Sequence, residues 1–262
     1  MKKLLSEIKR YYRAHKRDLP WRHTRDPYKI LVSEMMLQQT QVGRVLPFYK
    51  KFIREFPNAR TLANAKLSAV LKMWSGLGYN RRAKYLHEAA KIIAREGIIG
   101  QKLPGVGLYT GAAVDAFAHN KPTVFVETNI RTVFFHSYIL ENIRMTDAQL
   151  LPLVGQALRQ SKMQPRDFYA ALMDYGAHLK GQGVRLNKKS AHYTRPKKFE
   201  GSTRQLRGAI LKIVLHAPRS TLSSVTKNLP RSANWQKREV LRVLAQLKKE
   251  GLVRRHKGKY LV

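Results

Sequence analysis

The sequence predicts a mainly α-helical chain, and three observations carry that expectation. Apolar residues before position 180 recur at spacings of three and four: Leu4, Ile8 and Tyr11, then Ile30, Leu31, Met35 and Leu37, then Val70, Leu71 and Trp74, then Leu86, Ala90 and Ile93. That spacing lines one face of a helix, where a half-buried strand would alternate. Turn formers separate the runs at Pro20, Pro27, Pro57, Gly76-Leu77-Gly78, Pro104 and Pro122. Only around Lys257-Gly258, near the C-terminal end, do two short apolar runs read as a β-hairpin.

Further along, Leu103-Pro104-Gly105-Val106-Gly107-Leu108-Tyr109-Thr110 reads as a glycine hairpin opening into a helix, with backbone N–H groups free to meet a phosphate. Val126-Glu127-Thr128-Asn129 follows and places a carboxylate at the start of another helix. Lys180 to Phe199 is rich in Lys, Arg and Gly with little apolar periodicity, as in a linker laid along a phosphate backbone. After it come three expected helices at 203–215, 221–228 and 234–249 and the hairpin, a pattern that suits a winged-helix module with its third helix in a DNA groove. The expected organisation is therefore a helical domain at 1–180, a basic linker at 181–199 and a winged-helix-like DNA-binding domain at 200–262.

Charge points to a polyanionic partner. The 262 residues carry 51 Lys+Arg against 16 Asp+Glu, a formal +35, and residues 180–262 alone hold 22 basic against 3 acidic side chains. Nucleic acid suits such a chain, with binding that weakens steeply in salt. No run of eighteen apolar residues and no signal-peptide pattern appears, so no membrane partner is expected. There is no cysteine, which excludes disulfides, zinc-thiolate sites and an iron-sulfur cluster held by this chain's own cysteines. A cytoplasmic, nucleoid-associated location is expected.

Six strings together resemble the MutY-type adenine DNA glycosylases of the helix-hairpin-helix superfamily. They are Leu19-Pro20-Trp21-Arg22, Asp26-Pro27-Tyr28, Ser33-Glu34-Met35-Met36-Leu37-Gln38-Gln39-Thr40-Gln41-Val42, Trp74-Ser75-Gly76-Leu77-Gly78-Tyr79, Leu103 to Thr110, and Ala171-Leu172-Met173-Asp174-Tyr175-Gly176-Ala177. The resemblance covers roughly residues 8 to 180. It implies a fold of two helical lobes, a monomer, and a partner in double-stranded DNA containing a mismatch or damaged base. The implied reaction is base excision: adenine opposite 8-oxoguanine or guanine is flipped out and removed by hydrolysis.

Breaking the bond between base and sugar leaves the sugar electron-poor and the base electron-rich, which calls for a proton donor on one side and an anion on the other. The resemblance assigns the donor to Glu34, with its pKa raised by burial in the base pocket. A carboxylate near a helix N-terminus, stabilised by the macrodipole, is the other reading. Glu127 is the expected second carboxylate. The family carries aspartate there, so the extra methylene carries the carboxylate about 1.5 Å further, and a plain helix cap is the alternative.

Tyr109 stands where strand-cleaving relatives carry a Schiff-base lysine, which implies a monofunctional enzyme. Its hydroxyl is expected to hold Glu127 or water, or else simply to pack in the core. Asn129 is expected near the reacting centre or as a cap. Arg22 is expected to line the adenine pocket, or to be a solvated arginine beside Trp21. Gln39 and Tyr79 are expected to wedge the base stack, or to be an exposed helix Gln and a loop aromatic sealing the core. DNA contacts are expected from Gln38, from Leu103, Gly105, Val106 and Gly107 of the hairpin, and from Lys237, Arg238 and Arg242; Arg204, Arg207, Lys248 and Lys249 are expected to add nonspecific affinity.

The sequence also departs from the family. The segment Gly97 to Lys102 is short, which suggests a truncated first helix of the motif. His178-Leu179-Lys180 stands where the family usually begins four cluster cysteines, so no cofactor is expected and no metal site is assigned, a structural cation on the hairpin carbonyls excepted. Residues 200–262 do not resemble the family's domain that reads the opposing guanine. Two alternatives therefore stay open: a thymine or uracil mismatch glycosylase on the same scaffold, and a DNA-binding module without turnover.

Overall fold

The computed structural model describes residues 1–97, 102–138, 145–191, 193, 198–230 and 235–262. Among them the helices run α1 (Lys2–His15), α2 (Pro27–Leu37), α3 (Val42–Glu55), α4 (Ala59–Asn64), α5 (Leu67–Trp74), α6 (Arg81–Glu96) and α7 (Leu108–His119). They continue as α8 (Thr128–Tyr138), α9 (Asp147–Ser161), α10 (Pro165–Gly181), α11 (Thr203–His216), α12 (Leu222–Lys227) and α13 (Lys237–Lys249), followed by strands β1 (Arg254–His256) and β2 (Lys259–Leu261). Short 3-10 turns lie at Pro20–Arg22 and Leu186–Lys189. None of the described helices is long and apolar enough to cross a membrane.

The chain forms two compact units. The first comprises Met1–Glu34, Ile99–Lys102 and Val106–Arg195. Its core takes Leu4, Leu5 and Ile8 from α1, Ala112, Ala113 and Ala116 from α7, Ile130, Val133 and Phe134 from α8, Val154 and Leu158 from α9, and Phe168 and Leu172 from α10. Each fully buried large apolar side chain contributes roughly 1.5–3 kcal/mol. Phe125 stacks on Tyr169 with ring centroids 3.9 Å apart. Helix α10 presses on the start of α8 at Gly176, where a Cβ would stand 2.3 Å from the Asn129 carbonyl oxygen; only glycine permits that approach.

The second unit comprises Met35–Ile98, Leu103–Gly105 and Pro196–Val262. Phe52 meets Phe56 and Trp74 edge-on at 5.0 and 6.0 Å, and Leu62, Val70, Leu71, Leu86 and Ala90 complete that core. The C-terminal helices belong to this unit. They bury Leu206, Ile210 and Val214 of α11 and Val240, Val243 and Leu247 of α13, and the Lys84 ammonium of α6 donates to the Glu250 carbonyl at 2.6 Å. The helices expected at 203–215, 221–228 and 234–249 correspond to α11, α12 and α13; position 234 lies outside the described residues.

Strands β1 and β2 pair antiparallel in the register Arg254 to Leu261, Arg255 to Tyr260 and His256 to Lys259. Their two-residue loop has Lys257 at φ 45° and Gly258 at φ 76°, the doubly left-handed turn whose twist matches that of the strands.

Candidate active site

Glu34 lies past the middle of α2, on its buried side, and is 4% exposed. It is not in the first turn of the helix, so the macrodipole reading does not apply. Asp26 holds that end, accepting from the Tyr28 N–H at 2.9 Å, with Pro27 at the first helical position. The Tyr109 hydroxyl, in the first turn of α7, donates to Glu34 Oε2 at 2.9 Å. Burial pushes the Glu34 carboxyl up to about 7; the Tyr109 hydrogen bond opposes this and the nearby Glu127 charge adds to it. Burial and the same two carboxylates hold the Tyr109 phenol far above its ordinary value, so it stays a donor. The hydroxyl was expected on Glu127 or water; its partner is Glu34, because burial leaves the carboxyl of α2 as the acceptor beside it.

Glu127 immediately precedes α8. Its Oε1 accepts from the backbone N–H groups of Asn129 at 2.7 Å and Ile130 at 2.8 Å, and its Oε2 accepts from Asn129 Nδ2 at 3.2 Å. The carboxylate thus caps the helix, favoured by the positive end of the macrodipole, and the extra methylene lets it curl back onto that end. The capping reading is present in the geometry, and it leaves the carboxylate close enough to influence both Glu34 and Tyr109. Asn129 is not itself the cap. It lies inside the first turn, and its Oδ1 accepts from the Lys180 ammonium of α10 at 2.7 Å. Lys180 sits in the last turn of α10, at the start of the basic run that reads as a linker; its partner is 51 residues away in sequence, and no local signal marks it.

A carboxyl that holds a proton near neutrality and a second carboxylate held by three hydrogen bonds therefore belong to one cluster. Such a pair can donate a proton to one atom while placing negative charge near another.

Arg22, in the 3-10 turn, is not solvated. Its Nη1 donates to Asp174 Oδ2 at 2.7 Å and to the Arg17 carbonyl at 3.0 Å, and its Nη2 donates to Asp174 Oδ1 at 2.7 Å and to the Ala170 carbonyl at 3.3 Å. Those bonds use all four terminal hydrogens, so only Nε is left to face a base. Asp174, with its side chain 1% exposed, also takes the Arg17 backbone N–H at 3.0 Å. Burial alone would raise its pKa, but the Arg22 and Arg17 bonds and charges bring it below the ordinary value.

In the second unit, Gln39 follows the end of α2 and Tyr79 precedes α6, with φ of 54° and 47°. Both are exposed, Tyr79 by 43%. Gln39 is in a turn, so it is not a helix Gln, and Tyr79 does not seal a core. Left-handed backbone at side chains of this size is costly and marks places where geometry is imposed. Arg82, unnoticed in the sequence, imposes it. Its Nη1 donates to the carbonyls of Met35 and Met36, both at 3.0 Å, and to that of Gln38, while Nη2 donates to the Gly78 carbonyl at 3.2 Å. Gln38 Nε2 donates to the Gly105 carbonyl at 3.4 Å.

Gly105, at φ 74°, has no room for a side chain: a Cβ would stand 2.8 Å from Met35 Cε and from Tyr85 Cβ. Leu103 and Val106 are buried, so their side chains are turned into the protein. Gly107 precedes α7 without a side-chain cap and has open space around it. The segment Gly97 to Lys102 was expected to be short, and its residues 98–101 lie outside the described residues.

On α13, Lys237, Arg238 and Arg242 are exposed opposite the buried face, as are Lys248 and Lys249. Arg207 is instead held by Glu250 at 2.5 Å in a largely buried pair, and Arg204 donates to the Tyr79 hydroxyl at 3.3 Å. The described residues contain no group of three or more His, Asp or Glu placed to hold a metal.

Residues 32–154 match the HhH-GPD superfamily of base excision DNA repair proteins. The chain is 36% identical over 177 residues to the adenine DNA glycosylase of Buchnera aphidicola, covering 64% of this chain and 50% of that protein. It is 46% identical over 132 residues to the adenine DNA glycosylase of Mycobacterium tuberculosis, covering 47% and 43%. The chain thus spans about half the length of these curated relatives. In three dimensions it is similar to a thermostable thymine-DNA glycosylase, with a TM-score of 0.59 and 30% identity over 73% of this chain and 95% of that one.

Proposed function

The chain belongs to the HhH-GPD superfamily of base excision DNA repair proteins, and on that premise we propose that it is a monofunctional DNA glycosylase removing adenine mispaired with 8-oxoguanine or guanine. The observation that carries the reading is the cluster of Glu34, Tyr109 and Glu127, in which burial holds one carboxyl protonated up to about pH 7. The target nucleotide leaves the stack, and Glu34 gives its proton to a ring nitrogen of the departing base as the bond to the sugar breaks. Glu127 stands against the positive charge that develops on the sugar. Water completes the reaction by adding its oxygen to the anomeric carbon and releasing a proton. Tyr109 is a phenol in the position where an amine would form a Schiff base, so that route to strand cleavage has no nucleophile there.

Double-stranded DNA is the proposed partner and a monomer the proposed state. The uncapped start of α7 at Gly107 offers N–H groups to a phosphate, and the basic side chains of the winged-helix-like segment at 200–262, Lys237, Arg238 and Arg242 among them, add affinity without base preference. Residues 181–199 serve as the basic link. Gln39 and Tyr79, exposed on their left-handed turns, enter the stack. No cofactor is required by this reading, and a cytoplasmic, nucleoid-associated location follows from the partner.

The likeness to a thymine-DNA glycosylase over 95% of that chain favours a second reading, removal of thymine or uracil from mismatches. A panel of mismatched duplexes, with the released base identified by mass, separates the two. Free adenine supports the first reading and free pyrimidine the second. Tight binding with no abasic product at any enzyme excess rejects both and leaves the module without turnover. Glu34→Gln is expected to abolish base release while DNA binding survives.

A further inference from the structure

We propose that Lys180 is a positioning residue that fixes the Asn129 side-chain amide and, through it, the Glu127 oxygen that the backbone of α8 does not hold; the inference rests on the reading of Glu127 as the working carboxylate. Because no Cβ intervenes at Gly176, α10 can lie directly against the Asn129 backbone. Lys180 lies four residues further on, on the same face of the helix, and its Nζ reaches Asn129 Oδ1 at 2.7 Å. Asn129 Nδ2 then donates to Glu127 Oε2 at 3.2 Å.

The chemistry of the donors makes this order compulsory. An ammonium has three donors and no acceptor, whereas an asparagine amide has one accepting and one donating end. Lys180 therefore takes the oxygen and turns the NH2 toward Glu127. Without the ammonium the carboxylate still favours the NH2, but the amide loses the bond that anchors its other end, so its donation to Oε2 is held less firmly. Oε1 would not be affected, because two backbone N–H groups hold it. Lys180 thus governs the one carboxylate oxygen that the helix end does not.

The charges facing Lys180 support the same role. Burial lowers its pKa, the Glu127 carboxylate raises it, and Arg131 and Arg185 lower it. Glu127 is the one anion among them, so the ammonium and carboxylate hold the amide from its two ends. An ordinary alternative is a cation placed at a helix C-terminus for the sake of the dipole. That role would not depend on the orientation of Asn129.

The test uses the full chain with Lys180→Met, which keeps the length of the side chain and removes the ammonium, and Lys180→Arg, which restores charge and donors. Lys180 borders an open pocket of about 320 Å³ lined by Val184, Arg185 and Asn187. The first readout is the side-chain amide of Asn129 in a proton–nitrogen NMR spectrum, which requires no activity. In Lys180→Met its two protons are expected to move toward the positions of a free asparagine and to exchange faster, and in Lys180→Arg to return toward wild type. The second is single-turnover base release, expected to fall about tenfold in Lys180→Met with duplex affinity changed less than about threefold, and to recover in large part in Lys180→Arg.

An Asn129 amide unchanged in Lys180→Met overturns the inference whatever the activity. A shifted amide with an unchanged release rate overturns the link to Glu127. A wild-type protein that releases no base from any duplex rejects the proposed function, while the amide spectrum still decides whether Lys180 orients Asn129.

Discussion

Replacing Glu34 with glutamine is expected to stabilise the protein at alkaline pH, although it removes the proposed proton donor. A carboxyl raised by burial from 4.5 to about 7 favours the protonated native state, and at about 1.4 kcal/mol per tenfold change the difference amounts to roughly 3 kcal/mol. The sign follows from which state binds the proton better. Well below pH 4.5 the folded and unfolded chains both hold it and Glu34 costs nothing. As pH rises the unfolded chain ionises first, so stability is lost progressively and the loss is complete once pH has passed the folded value of about 7. At pH 5 the cost is roughly 1 kcal/mol and at pH 8.5 roughly 3 kcal/mol. Glutamine has nothing to ionise and can still accept from the Tyr109 hydroxyl. Urea unfolding of both proteins at the two pH values measures the effect, and the difference between them cancels other titrating groups and any fixed cost of the amide. Glu34→Gln should gain about 2 kcal/mol on wild type between pH 5 and 8.5. A gap that does not change with pH would refute the burial argument.

Three further outcomes follow. Gly176→Ala drives a methyl to 2.3 Å from the Asn129 carbonyl oxygen, where only backbone can yield; a loss of about 1–3 kcal/mol in urea unfolding and slower base release are expected. Asp174→Asn leaves the buried Arg22 without its counter-ion, at about 3–5 kcal/mol; since the folded pKa of Asp174 is lowered, the wild-type advantage over the variant should be full above the ordinary carboxylate range and vanish as pH falls through the folded value. Replacing Lys237, Arg238 and Arg242 together by alanine should reduce the slope of log affinity against log salt by up to about 3 and leave the identity of the released base unaltered.

Local patterns carried the parts of the fold that depend on local physics. The spacing of Leu4, Ile8 and Tyr11 marked α1, and Lys257-Gly258 marked the turn between β1 and β2, because a helix face and a left-handed turn are each written within a few residues. The strings around Glu34 and Glu127 single out both carboxylates, and the structure brings them near enough for the charge of one to act on the other. What the sequence hid lies between distant residues. The Arg22 pair with Asp174 spans 152 positions and the Lys180 bond to Asn129 spans 51, and neither leaves a periodic trace. Arg82 reads as one more basic side chain of a basic helix, and only in the folded chain does it gather the carbonyls at the end of α2. The partner of Tyr109 was misjudged for the same reason, since a hydroxyl between two carboxylates chooses by burial and angle.

The most direct test of the account is the pH dependence of single-turnover base release from a mismatched duplex between pH 5 and 9. If buried, protonated Glu34 delivers the proton, the rate should fall as pH rises through about 7, approaching tenfold per pH unit above it. A rate that stays level or climbs across pH 6 to 9 would contradict the assignment of Glu34 as the acid.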